Sequence, residues 1–315
     1  MHISEAIKLL LRAGVHVVPV GPDVLRTDDG RNIRVATASR VPTPADIRRN
    51  VDKLGLDDRV LFAVAKVTPA LEIAALGDPR VIVVAQDRVI LDRHEQSLFD
   101  PAPRTRSLRK GPRPYGTLAV ARALLSSDRP QLQVQLAKLA GMTQPSVSNA
   151  LRRLSEGGLV TRRDDGWVAV DRSRLFDFAS TEYPGAGGIT TYWWHDARLP
   201  EQAALVRDAG NDPLLSGDLA ASEINGWRFP EVAVVYLREG VDPAKLGFAL
   251  SEPGEHTLEL TIPDDGTLWA TAAGYHRPGI ADPVIVFCDI QRTGTTGDQA
   301  EAAAKVKDTI VSEPS

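Results

Sequence analysis

Between Thr117 and Asp171 the sequence is punctuated closely enough to dictate its own local fold. Thr117–Ser126 places Leu118, Ala121, Leu124 and Leu125 on one helical face. Asp128-Arg129-Pro130 then turns the chain. Leu132–Ala140 (LQVQLAKLA) predicts a short second helix. Gly141-Met142-Thr143 reads as a tight turn in which glycine supplies a positive φ. Thr143 is a suitable N-cap, Pro145 sits in the first turn where proline is tolerated, and a third helix runs from Gln144 to about Leu154. Leu159–Arg163 and Trp167–Val170 read as two short strands joined by Asp164-Asp165-Gly166, an Asp-Gly hairpin signal. Three short helices closed by a hairpin predict a winged helix-turn-helix over 117–171.

The third of these helices divides its labour. At about 100° per residue, Val147, Ala150, Leu151 and Leu154 fall on one side and pack inward. Pro145, Ser148, Asn149 and Arg152 fall opposite, with Ser146 and Arg153 on the flanks. A helix lying in the major groove of DNA needs short polar residues that allow close approach, and Asn or Arg to reach base edges. Gln144, Ser146, Ser148, Asn149, Arg152 and Arg153 meet that need. Arg162 and Arg163 lie near the hairpin tip, within reach of the phosphate backbone. The other reading of such a domain is a winged helix used only for protein contacts.

Charge separates the two. The 315-residue chain has a net charge of -4. From Ala102 to Arg163 it carries twelve Lys/Arg against two acidic residues, a net +10, so the remainder carries -14. A basic middle in an acidic chain is the electrostatic footprint of nucleic-acid binding. Part of it lies in residues 100–116, DPAPRTRSLRKGPRPYG, a Pro- and Arg-rich linker. Its Arg104, Arg106, Arg109 and Lys110 read equally as an arm on DNA or as a solvated tether.

The linker divides the chain into a small mixed α/β N-terminal domain (1–99), the linker (100–116), the winged helix (117–171) and an α/β C-terminal domain (172–315), an α+β multidomain class overall. In the first domain, Ser4–Ala13, Thr43 onward and Thr68–Leu76 read as helices. His16–Val20, Asn32–Ala38, Arg59–Val64, Val81–Ala85 and Val89–Leu91 read as strands. In the last, Glu201–Ala209, Asp218–Asn225 and Gln299–Ile310 read as helices. Val232–Leu237, His256–Thr261 and Val284–Asp289 read as strands. A single cysteine, Cys288, excludes an internal disulfide, and no run approaches the roughly 18 apolar residues of a membrane span. With no leader-like N-terminus, the expected setting is the cytoplasm, and the Arg- and Ala-rich composition points to a bacterial genome of high GC content.

The search for chemistry is mostly negative. Leu214–Glu223 (LLSGDLAASE) is similar to the Gly-Ser element of nucleotidyltransferase-like folds. Catalysis there requires an Asp-x-Asp pair on the next strand to hold two metal ions. That strand, Glu231–Leu237, has Glu231 as its only acid. Asp289 and Asp298 read as solvated acids rather than metal ligands, His195 beside Trp193 and Trp194 as packing, and Cys288 as a small hydrophobe in an apolar strand. Asp78, Asp87 and Asp92 lack the Glu-x-Lys of a nuclease. No Gly-rich phosphate loop, HExxH or GxSxG is present. The expectation is no enzyme activity, no cofactor and no metal.

Three stretches together resemble the AbiEi-like antitoxin and transcriptional-regulator family of type IV toxin–antitoxin systems. They are FAVAKVTPALEIAAL with VIVVAQDRVIL (Phe62–Leu91), the winged-helix run Arg129–Arg163, and ITTYWW, LLSGDLAASEI, VAVVYL and IVFCDIQRTGTTGDQAEAAAKV within Ile189–Val306. The resemblance implies a nucleotidyltransferase-like C-terminal domain without its catalytic carboxylates. It also implies operator binding, autoregulation and, in paired systems, neutralisation of a nucleotidyltransferase toxin. The expected partners are double-stranded DNA, such a toxin or another protein through the C-terminal domain, and a second copy of the chain. The alternatives kept open are a partner-binding antitoxin and a nucleotide-acting enzyme recruited to DNA.

Overall fold

Two Thr-Pro junctions set the helices of the N-terminal part. At each the threonine is extended and proline opens the helix, where its missing N–H costs nothing. Thr43 Oγ1 accepts from the Asp46 N–H at 3.3 Å while the Thr43 N–H donates back to the Asp46 carboxylate at 3.1 Å, a reciprocal cap. The computed structural model describes residues 3–36, 42–55, 57–86, 88–97, 114–210, 212–226, 230–294 and 298–311. Arg104, Arg106, Arg109 and Lys110 lie outside the described residues, as does Asp87.

These residues fall into two units, each described by itself. The first comprises the described part of 1–111 with 188–191 and 238–242. Its elements are α1 (Ile3–Arg12), β1 (Val17–Gly21), β2 (Val24–Thr27), β3 (Asn32–Ala36), α2 (Pro44–Val51), β4 (Arg59–Ala63), α3 (Pro69–Gly77), β5 (Val81–Val84), β6 (Arg88–Leu91) and β7 (His94–Ser97). One sheet takes all seven strands in sequence order. β3, β4 and β5 run parallel through the α2 and α3 crossovers, and antiparallel hairpins extend both edges. Because side chains alternate, Leu61, Ile82 and Val84 pack with α1 on one face while Val60, Phe62, Val81 and Val83 pack with α2 and α3 on the other. Strands covered on both faces read as unbroken apolar runs, and Val81–Val84 is buried throughout. β2, half polar, and β7, wholly polar, were not expected from the sequence.

The second unit comprises the described part of 112–187, 192–237 and 243–315. It contains α4 (Tyr115–Leu125), α5 (Gln133–Ala140), α6 (Gln144–Glu156), β8 (Val160–Arg163), β9 (Gly166–Ala169), α7 (Arg172–Glu182), β10 (Ile189–Trp194, entering from the first unit), α8 (Leu199–Ala209), β11 (Leu214–Ser216), α9 (Gly217–Asn225), β12 (Ala233–Tyr236), β13 (Ala249–Leu250), β14 (Leu258–Ile262), α10 (Leu268–Ala273), α11 (Pro283–Thr293) and α12 (Gln299–Val311). The five-stranded sheet runs β11-β12-β14-β10-β13, with β12 parallel to β14.

Three expectations need correction. Val284–Asp289 is a helix, not a strand. Asp282 caps α11 by accepting the Ile285 N–H, Pro283 opens it, and the β-branched run is apolar because the helix is buried. Cys288 therefore sits on a helix, where burial raises its thiol pKa and the thiol faces the Ser180 carbonyl at 3.6 Å. The first helix begins at Tyr115, so the end of the expected linker is helical; the Tyr115 hydroxyl donates to the Gly185 and Ala186 carbonyls at 3.0 Å. Finally, no break in packing falls between 171 and 172. Leu125, Leu136, Leu151 and Leu154 share one core with Leu175, Phe176, Ala179 and Val284.

Candidate nucleic-acid interface

Helix α6 is positioned from behind by α4 and α5 and entered through a glycine. Gly141 has φ +63°, and a Cβ there would lie 2.9 Å from Ala270 Cβ, so both backbone and packing demand glycine. The turn delivers Thr143 in an extended conformation as N-cap of α6. Its hydroxyl meets Ser146 Oγ at 2.9 Å rather than capping a backbone N–H.

α6 has two unlike faces. Val147, Ala150, Leu151 and Leu154 are at most 3% exposed. Gln144, Ser146, Ser148, Asn149, Arg152 and Arg153 are all exposed. Arg152 Nη2 donates to Asn149 Oδ1 at 3.3 Å. That oxygen has a second lone pair, so the contact leaves Asn149 able to accept another donor.

The wing differs from its expected form. Arg163 pairs with Gly166, which leaves Asp164–Asp165 as a two-residue turn. Arg162 and Arg163 are exposed as expected, but the apex itself is two exposed carboxylates. Gly166 opens β9, not the loop. Its Cβ would lie 2.8 Å from the Gln131 carbonyl oxygen, because Gln131 exchanges two 2.9 Å hydrogen bonds with Trp167 and forms a third strand position. That bridge was not legible from the local pattern.

Electrostatics sharpen further on two counts. Residues 114–171 carry seven Lys/Arg and five Asp/Glu, so this segment is only mildly basic, and half of the +10 counted from Ala102 to Arg163 belongs to the linker. One of the seven, Arg122, is entirely buried. It donates to Asp282 at 2.9 Å, Asp265 at 3.1 Å and Thr267 at 2.7 Å. Burial alone would lower its pKa; the carboxylates of Asp282 and Asp265 outweigh that and raise it. Thr271 donates to Asp282 at 2.7 Å and Tyr183 to Asp265 at 3.2 Å. The network ties α4 to the start of α11. Arg172, not singled out in the sequence, donates to the carbonyls of Leu125 at 2.7 Å, Ser127 at 2.9 Å and Ile310 at 3.0 Å, closing the carbonyl ends of α4 and α12.

The residues considered for chemistry have other duties. The Asp289 carboxylate accepts from Ser216 at 2.6 Å, Tyr236 at 2.7 Å and Arg292 at 3.0 Å. Glu259 accepts from Arg292 at 2.8 Å. Burial, then the Asp289 charge, holds the Tyr236 phenol protonated. His195 Nδ1 accepts the Ala197 N–H at 2.9 Å, and its ring lies 4.9 Å from that of Phe248. Among the described residues no group of three or more His, Cys, Asp or Glu is arranged to hold a metal ion, and no helix is long and apolar enough to cross a membrane.

No curated protein and no solved structure matches the chain. A family model does: that of the MarR family matches residues 116–166, from the first turn of α4 to the first residue of β9. The match covers α4 to β8 and ends at the hairpin turn, and it identifies this segment as a winged-helix domain of the MarR type, which suggests a DNA-binding transcriptional regulator.

Proposed function

We propose that this chain is a sequence-specific regulator of transcription that reads the major groove of double-stranded DNA with α6 and touches the backbone with its wing. The observation that carries this is the face of α6. Six exposed side chains, Gln144, Ser146, Ser148, Asn149, Arg152 and Arg153, stand opposite a face that is fully packed. Asn149 and Arg152 read bases; Arg162 and Arg163 contact phosphates beside an acidic apex. Arg104, Arg106, Arg109 and Lys110 serve as a basic arm that supplies most of the non-specific attraction. The regulator acts without enzyme activity, metal or cofactor. β12 carries no carboxylate, and the buried Asp289 and Glu259 are already bonded to Arg292. A dimer, as is common for this domain type, would place two such helices on half-sites one helical turn or a multiple of it apart.

The C-terminal part of the second unit, by its resemblance to nucleotidyltransferase-like domains of antitoxins, serves a protein partner of the toxin type, in a bacterial cytoplasm. The identity of the neighbouring gene product and its co-purification test that part. The central test is an anisotropy titration of the full chain against its own promoter and a random duplex at several salt concentrations. Affinity for both falls as salt rises, while the preference for the promoter persists. Equal affinity for the two at every salt concentration would overturn sequence-specific reading, and no binding to any duplex would overturn the regulator.

A further inference from the structure

Helix α3 (PALEIAALG) is apolar on every side, with Glu72 its one polar residue. A helix apolar all round is normally a buried one. α4 keeps that rule, since every residue from Leu118 to Leu125 is buried. α3 keeps it on one side only. Leu71 and Ala75 are buried in the core of the first unit, and Ala70 and Ala74 pack against it. Pro69, Ile73 and Leu76, at i, i+4 and i+7, form a ridge along the opposite side, and all three are exposed. Ile73, 73% accessible, is the most exposed large apolar side chain among the described residues, and Leu76 is 41% accessible. A contiguous exposed apolar ridge marks a docking face.

The charges at the two ends of the ridge fit its own reversal. Lys66, exposed, lies just before the N-terminus of α3. Asp78, which Arg80 holds ionised by donating to its carboxylate at 2.8 Å, lies at the C-terminus. An antiparallel pair of α3 helices sets each Lys66 beside the other copy's carbonyl end and Asp78, and opposes the two helix dipoles. We infer that α3 is a contact between two copies of this chain, packed antiparallel with Ile73 on the twofold axis and Leu76 of each copy against Pro69 of the other. The face belongs to the first unit and lies outside the segment 116–166 that matches the MarR family.

A helix of nine residues offers less than the roughly 800 Å² per partner of a standard interface, so the pair is weak in free solution. Two copies seated on adjacent half-sites reinforce one another through it, a consequence that rests on the reading of the chain as a DNA-binding regulator.

The test is sedimentation equilibrium of the full chain, without DNA, over a wide range of concentrations. A reversible monomer–dimer equilibrium is expected. Ile73→Asp should weaken it by about tenfold or more, because each copy loses a buried isoleucine. Its melting temperature should stay unchanged, since Ile73 is exposed in the single chain. Val134→Asp, on α5 at the next most exposed large apolar residue, should leave the association unchanged. Ile73→Cys should cross-link into a dimer under mild oxidation, because the two side chains meet on the axis. The wild-type chain, whose one thiol, that of Cys288, faces the Ser180 carbonyl, should not. A chain monomeric at every concentration would overturn the pairing and leave the ridge to a different protein. Wild-type association in Ile73→Asp, or no cross-link in Ile73→Cys, would overturn α3 as the contact. In the duplex titration, cooperative filling of two half-sites is expected for the wild type and its loss for Ile73→Asp; cooperativity unchanged in that variant would overturn the coupling. Self-association without binding to any duplex would sink the regulator reading and leave the pairing standing.

Discussion

Helices α4 and α6 belong to the same winged helix, and both read as amphipathic, yet only α6 keeps a free face. On α6 the buried residues form one stripe and the polar ones the other. On α4 every residue from Leu118 to Leu125 is buried, Arg122 among them. The side of α4 that an isolated winged helix would show to water is covered by α7 and α10, and its one charge is met by Asp265 and Asp282. A one-sided apolar pattern locates a core; it does not show that the other side is solvent. The composition of α4, Ala and Val on every side, carried the warning, since a helix apolar all round is a buried one.

The contrast is broken most forcefully at Arg122. Arg122→Ala leaves two buried carboxylates uncompensated and should lower unfolding free energy by about 3–5 kcal/mol in chemical denaturation. A loss below about 1 kcal/mol would mean that this side of α4 is not interior. The opposite behaviour is expected on α6. Asn149→Ala or Arg152→Ala should weaken promoter binding by about 1–3 kcal/mol, measured by anisotropy, while stability moves by no more than about 0.5 kcal/mol. If either variant unfolds the domain, its face is a packing face and the interface assignment fails.

Gly141→Ala probes the junction that aims α6. A Cβ in the left-handed region costs roughly 1–2 kcal/mol, and here it also meets Ala270, so the melting temperature should fall. An unchanged melting temperature would argue that the turn relaxes freely. The smallest effect is expected at the wing apex. Asp164→Asn with Asp165→Asn removes two exposed carboxylates from the wing apex. Affinity for promoter and random duplex should rise alike, by less than about 1 kcal/mol, as for other exposed charge interactions. A change confined to the promoter would instead make the apex a reader of sequence.

Most of the local structure of the winged helix was legible in the sequence because its determinants are local. Gly141, Thr143 and Pro145 announce the turn and the start of α6, and helical spacing sorts its faces. Asp165-Gly166 announces the hairpin, although strand register placed Gly166 one step later, inside β9. The misreadings share a different cause. Val284–Asp289 looked like a strand because a β-branched apolar run fits either a strand or a buried helix, and the Asp282-Pro283 cap was the deciding signal. The boundary drawn at 171/172 followed the end of the hairpin pattern, which does not report that Arg172 closes two helices.

The sequence by itself determined which segments turn, which face of α6 packs, and that a winged helix lies between 116 and 166, since each depends on residues within one or two turns of each other. Only the tertiary structure decided how large a surface that domain presents. Arg122 finds its partners 143 and 160 residues away, and Gln131 finds Trp167 across a sheet. Counting charge along the chain included Arg122 in the basic window. Desolvation and two carboxylates place it in the core, because a guanidinium leaves water only where opposite charges are already waiting to receive it.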